Sequence, residues 1–190
     1  TLITDLHSGV EFTSYFSTMD MIEALYGVVG DKSTYLDYGY FGVLGADFDE
    51  NGVATGEYKP KPSYYALSTL ATLFKGNVKR ANIPYYRAYN PSRRINATED
   101  DEQAKIYGFE LDDGSHALVY WNATPILTTT YEGTISFALC GQKPEDIRLC
   151  DLRNGTLYTL REDMIEDAGE DIVRLKNLPL LDAPLAILMK

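Results

Sequence analysis

The hydrophobic pattern changes period near residue 76. Just before that point Leu67, Leu70, Ala71 and Phe74 recur at i, i+3, i+4 and i+7, one face of an amphipathic helix. Pro62 suits the first turn of such a helix and Gly76 its C-terminal cap, so a helix is predicted over 62–75. Earlier still, Leu2, Ile3 and Leu6 share a face and Gly9 follows, the pattern of a helix end. Val10–Ser17 is rich in β-formers and short, which predicts a strand, and Met19–Tyr26 predicts a helical turn. Gly27–Lys61 then reads as a long loop carrying Tyr35, Tyr38, Tyr40 and Phe41. Loops of that length inside compact domains are usually functional or disordered.

Beyond residue 76 comes a polar connection, 77–103, with a strand expected around Tyr85–Tyr89 and a solvated acidic run at 98–102. After it the period becomes two. Ile106–Leu111 and His116–Asn122 flank Asp112-Asp113-Gly114-Ser115, a hairpin signal. Thr134–Leu139 turns Ile135, Phe137 and Leu139 to one side. Ile147–Leu152 and Thr156–Leu160 flank Arg153-Asn154-Gly155, where Asn-Gly favours a type I′ turn. Ile172–Leu178 and Pro184–Met189 complete the series. Short strands at regular spacing predict an antiparallel β-sandwich over 104–190, so the chain is mainly β with an α/β portion over 1–76. The expected core is Val119, Trp121, Ile135, Phe137, Leu149, Leu157, Ile172 and Ile187.

Charge narrows the function. Across 190 residues, 17 Lys+Arg against 28 Asp+Glu give a net charge of −11. A surface that tracks phosphates needs Lys and Arg to displace counterions, so nucleic acid is not an expected partner. The longest apolar stretches fall far short of the roughly 20 residues that span a bilayer, so neither is a membrane. Tyr is abundant at 15 residues and Trp occurs once. Such rings pack on one edge and hydrogen-bond on the other. The opening Thr1-Leu2-Ile3-Thr4 carries no signal-like run and suggests the end of something longer.

Other candidates are isolated. Cys140 and Cys150 are spaced for a disulfide across a hairpin, or stand as two buried thiols. Sequons occur at Asn96, Asn122 and Asn154. Asp47, Asp49, Asn51 and Gly52 copy the first half of a calcium loop, but Tyr58 stands where the bidentate Glu belongs, and the same residues suit a polar turn. His7 and His116 have no partner at ligand spacing. The pairs Asp112-Asp113, Glu145-Asp146 and Glu162-Asp163 sit at expected turns, where carboxylates serve solubility.

Three segments together resemble a known family. Val10–Ser17, the run Tyr38-Gly39-Tyr40-Phe41-Gly42-Val43-Leu44, and Lys59-Pro60-Lys61-Pro62-Ser63-Tyr64-Tyr65-Ala66-Leu67 are similar to the last strand, following loop and last helix of (β/α)8 retaining glycoside hydrolases of the β-xylosidase and arabinofuranosidase type. Asn177–Leu188 resembles the final strand of the β-sandwich appended to those barrels. The resemblance implies a carbohydrate substrate, no cofactor, and a barrel whose earlier strands carry both catalytic carboxylates ahead of Thr1. This chain would then bring no catalytic residue and would work with that preceding barrel portion. The end of the last strand lines the sugar cleft in such barrels. Tyr15 and Phe16, where relatives often carry Trp, and Tyr40 and Phe41 would supply stacking rings, or would simply pack the barrel end. Two other classes compete: a non-catalytic carbohydrate-binding or cell-surface β-sandwich, and an unrelated α+β interaction domain.

Overall fold

The computed structural model describes residues 2–21, 23–24, 35–36, 41–49, 51, 53–91, 104–123, 132–141 and 146–190. The chain divides into two compact units, Thr1–Ser68 and Thr69–Lys190.

In the first unit α1 (Leu2–His7) buries Ile3. It ends as its sequence predicts. Gly9 takes a φ of +76°, and the N–H groups of Gly9 and Val10 bond back to Leu6 and Asp5, which satisfies the last carbonyls. The expected strand over 10–17 is not formed. Phe12 is 82% exposed and Phe16 67%, and among the described residues backbone pairing begins only at Ser17. β-propensity largely reports packing against neighbouring strands, and without them Val10–Phe16 keeps no ladder.

The helical turn expected at Met19–Tyr26 is also replaced. Residues 17–20 run extended and parallel to 41–44, with Leu44 N–H donating to Thr18 and Asp20 N–H to Leu44. Among the described residues this unit also has two short antiparallel pairs, β1 (Glu23–Ala24) with β2 (Tyr35–Leu36) and β3 (Leu44–Gly45) with β4 (Lys59–Pro60). The described part of the stretch read as a long loop therefore carries strand pairing. Tyr26, Tyr38, Gly39, Tyr40, Gly52, Asn96 and the acidic run at 98–102 lie outside the described residues.

Helix α2 (Pro62–Leu73) matches the predicted segment and crosses the boundary between the units. Ala71 is exposed, however, and Leu73 takes its place beside Leu70 and Phe74 on the covered face. Gly76 follows with a φ of +73°, and the Asp112 carboxylate accepts from Asn77 N–H at 2.8 Å.

The second unit is an antiparallel β-sandwich, as the period-two pattern predicts. Its strands are β5 (Lys79–Arg80), β6 (Tyr85–Pro91), β7 (Ala104–Glu110), β8 (His116–Asn122), β9 (Glu132–Cys140), β10 (Ile147–Asp151), β11 (Thr156–Thr159), β12 (Ile165–Asp167), β13 (Ile172–Leu181) and β14 (Leu185–Met189). One sheet has the order β11-β10-β14-β8-β7-β5 and the other β12-β13-β9-β6. Leu118, Tyr120, Leu149, Leu185 and Ile187 of the first sheet pack on Ile135, Phe137, Leu139, Leu175 and Leu178 of the second. The Tyr120 and Phe137 rings meet edge to face at 5.2 Å, and the Tyr120 hydroxyl donates to the Pro179 carbonyl at 3.0 Å.

A bulge in β13 keeps both halves of that strand on the core. Val173 and Leu175 point inward, then the register shifts, and Leu178 and Leu180 point inward on the other phase. Asn177 absorbs the extra residue at a φ of +52°, and its N–H donates to the Ser136 hydroxyl.

Four of the expected core residues sit elsewhere. Register puts Val119 opposite Tyr107 and Ala186, on the face turned away from the second sheet, and Trp121 shares that face, edge to face with Tyr107. Leu157 pairs with Cys150 on the same outer face and is 60% exposed, and Ile172 is half-buried at a strand end. The turn between β10 and β11 explains the Leu157 error. It spans residues 152–155, one residue more than the expected 153–155, with Gly155 at a φ of +75° and bonded to the Asp151 carbonyl, and that single residue moves Leu157 from the face of Asp151 to the face of Cys150. Cys140 and Cys150 lie in different sheets as free thiols, which excludes the hairpin disulfide.

Phe137→Ala should destabilise the protein by about 3–5 kcal/mol in a denaturant titration, the range for truncating a buried aromatic. Leu157→Ala, on an exposed edge, should change it by no more than about 0.5 kcal/mol. Equal costs would show that the two faces are assigned wrongly.

Candidate functional site

Three segments of the first unit are tied at one carboxylate. Asp20 is 5% exposed, and its Oδ1 accepts from Lys61 Nζ at 2.5 Å and from Gly42 N–H at 3.1 Å. Around it Ser17 N–H donates to the Phe41 carbonyl, Val43 N–H to the Ser17 carbonyl, and Lys61 N–H to the Val43 carbonyl. The Ser17 hydroxyl closes the corner by donating to the Met19 carbonyl at 2.7 Å. Gly42 is dictated by this approach, since a Cβ there would stand 2.1 Å from the Met19 carbonyl carbon. Breaking a buried pair by removing one partner leaves an uncompensated charge and typically costs about 3–5 kcal/mol.

The tie brings two of the sequence-predicted segments together. Phe16 and Phe41 flank the Ser17–Phe41 hydrogen bond, and the peptide bond between Phe16 and Ser17 is cis. Phe16 is 67% exposed, Phe41 57% and Tyr15 49%. Large rings held at the surface by an ordered backbone offer apolar faces to a ligand. Tyr40, the fourth candidate, lies outside the described residues.

The calcium-loop candidates have other work. Asp47 pairs with Lys59 at 3.3 Å in solvent. Asp49 Oδ1 accepts from the N–H groups of Asn51 and Val53, and Asp49 N–H donates to the Val53 carbonyl, so this carboxylate shapes a turn. Asn51 is exposed within that turn. Among the described residues no three His, Cys, Asp or Glu side chains gather as a metal site would require.

Four of the paired acidic residues have local partners. Asp112 accepts from Asn77 N–H beyond α2, Asp113 from both the N–H and the hydroxyl of Ser115, Asp146 pairs with Arg148 and Asp163 with Arg161, while Glu145 lies outside the described residues. Asn122 is a fully buried strand residue, which removes it as a glycosylation acceptor, whereas Asn154 is exposed in its turn. In the second unit a cleft of about 280 Å³ is lined mainly by Leu149, Leu160, Met164, Leu181 and Leu185. Its two guanidiniums are engaged: Arg153 holds the buried Asp151 at 2.7 Å, and Arg161 holds Asp163. Burial pushes the Cys150 thiol up to about 11, so it stays protonated and unreactive at neutral pH.

Asp20, Gly42 and Lys61 were not singled out from the sequence as site residues. The available signal was a lone acid in the apolar run Met19-Asp20-Met21-Ile22, together with a lysine directly before the Pro that opens α2. Among the described residues no helix is long and apolar enough to cross a membrane. Compared with known protein families, characterised proteins and solved structures, the chain matches none.

The Arg153 hydrogen bond holds the Asp151 carboxyl below its ordinary value of 3.8. A carboxylate lowered in the folded state contributes stability above the unfolded value and loses it as pH falls through the folded one. The stability difference between the wild type and Asp151→Asn should therefore be full at pH 6 and shrink below pH 3.8. A difference constant from pH 6 down to about pH 2 would contradict this assignment.

Proposed function

We propose that this chain is the C-terminal portion of a (β/α)8 retaining glycoside hydrolase, supplying one wall of a sugar cleft and an accessory β-sandwich. In this reading residues 10–17, which form no strand here, correspond to the last barrel strand, α2 corresponds to the last barrel helix, and both catalytic carboxylates belong to a preceding part of the longer protein. The retaining mechanism needs two carboxyl groups about 5–5.5 Å apart; Asp20, Asp49, Asp112 and Asp151 instead hold backbone N–H groups or cations.

The observation that carries the proposal is the joining of Phe16 to Phe41. Two segments chosen separately for their likeness to a sugar-facing wall are hydrogen-bonded to each other, with their rings in solvent. A second support is the exposed stretch Val10–Phe16, a segment of β-forming composition that suits burial between parallel neighbours. A free-standing sugar-binding sandwich would favour a row of exposed rings on one sheet face. Among the described residues, the most exposed tyrosines of the second unit, Tyr86 on β6 and Tyr158 on β11, belong to different sheets.

Calorimetric titration with xylohexaose and arabinohexaose tests the proposal. Binding should be weak, and Phe16→Ala or Phe41→Ala should each weaken it roughly fivefold, as expected for losing a stacking ring worth about 1 kcal/mol. Tyr86→Ala should leave it unchanged. The chain itself should not cleave aryl xylosides, arabinosides or glucosides. Turnover lost on mutating a residue within the chain, or no binding to either sugar, would overturn the reading.

A further inference from the structure

We propose that Asp20 is the positioning residue of the aromatic surface: through one carboxylate oxygen it fixes the backbone of the two hydrogen-bonded segments that carry Phe16 and Phe41. Asp20 touches neither ring. It acts through Gly42, the residue after Phe41, whose N–H it accepts at 3.1 Å, and through Lys61, whose Nζ meets the same oxygen at 2.5 Å. Lys61 is itself anchored twice, by its own N–H on the Val43 carbonyl and by its carbonyl, which accepts from Tyr64 N–H in the first turn of α2. The carboxylate thus joins the segment after Phe16, the segment after Phe41 and the start of the helix.

The arrangement is specific to this pair. Asp47 and Lys59 form a second acid–lysine contact in the same unit, but both side chains are about three-quarters exposed and bond no backbone group of the aromatic segments. The side chain of Asp20 is only 6% exposed and that of Lys61 27%. A buried carboxylate with fixed donors acts as a rigid joint, whereas an exposed pair is screened by water. Nor can Gly42 yield, because it already lies against the Met19–Asp20 backbone with no room for a side chain. What the surface binds rests on the carbohydrate reading above. How it is held does not.

Amide hydrogen exchange of the full chain, read residue by residue, separates the two. Asp20→Ala should speed exchange at Gly42, Val43 and Leu44 about tenfold or more, because opening there no longer breaks the joint. Asp20→Asn keeps an oxygen for the Gly42 N–H and should recover much of the protection. Asp47→Asn should change nothing at these amides. Thr55, bonded to the Asp47 carbonyl in the same unit, and Phe137 in the sandwich report whether each unit stays folded. If Asp20→Ala also releases Thr55, Lys61→Met carries the same comparison with the Gly42 acceptor left in place.

Xylohexaose titration of the same variants adds the functional arm, with the dissociation constant expected to rise roughly fivefold in Asp20→Ala and to return toward the wild-type value in Asp20→Asn. Unchanged exchange at Gly42 and Val43 in Asp20→Ala would overturn the positioning role. So would faster exchange with unaltered sugar affinity. A wild type that binds no xylohexaose would remove the carbohydrate reading alone, and the exchange data would still decide the role of Asp20.

Discussion

The first unit depends on one buried carboxylate that must be neutralised where it sits. Asp20 is withdrawn from water, and a charge so placed is tolerated only with donors on it. Lys61 and the Gly42 amide supply them. Everything ordered nearby follows from where those donors must come from. The chain after Phe41 has to pass close enough to do without a side chain at Gly42, and α2 has to begin next to Lys61. The Phe16–Phe41 surface is the outward side of that constraint.

The sandwich rests on a different constraint, the phase of one strand. A strand can keep a single face on the core only while its alternation holds, and β13 runs for ten residues against β9. The bulge at Lys176 and Asn177 resets the alternation and lets Leu175 and Leu178 both reach the core. Tyr120 then spans the two sheets, its ring on Phe137 and its hydroxyl on the Pro179 carbonyl beyond the bulge. Burial raises the phenol's pKa above its ordinary value, so this donor persists at neutral pH.

The period-two pattern over 104–190 was legible in most strands because their alternation agrees with their place in the sandwich. Ile135, Phe137 and Leu139 alternate without interruption, and the helix over 62–73 carries both its opening Pro and its closing Gly. Where reading failed, tertiary pairing decided. Val10–Phe16 has strand composition and no ladder, because strand formation needs partners that composition does not reveal. Leu157 was turned the wrong way by a turn one residue longer than the expected 153–155. Trp121 looked like core because it is large, yet a face turned away from the second sheet can be half-buried too. Tyr15, Phe16 and Phe41 were named by likeness to a barrel wall. Asp20, bonded to Gly42 and Lys61, carried no motif at all.

The proposed glycosidase reading rests on a single place, the exposed rings of Phe16 and Phe41 on two hydrogen-bonded segments. Ring-resolved NMR of the chain titrated with xylohexaose addresses that place directly. The account predicts that the Phe16 and Phe41 ring signals shift together along one binding curve, with Tyr86 and Tyr158 unmoved. Shifts confined to Tyr86 or Tyr158, or Phe16 and Phe41 rings indifferent to the sugar, would contradict it.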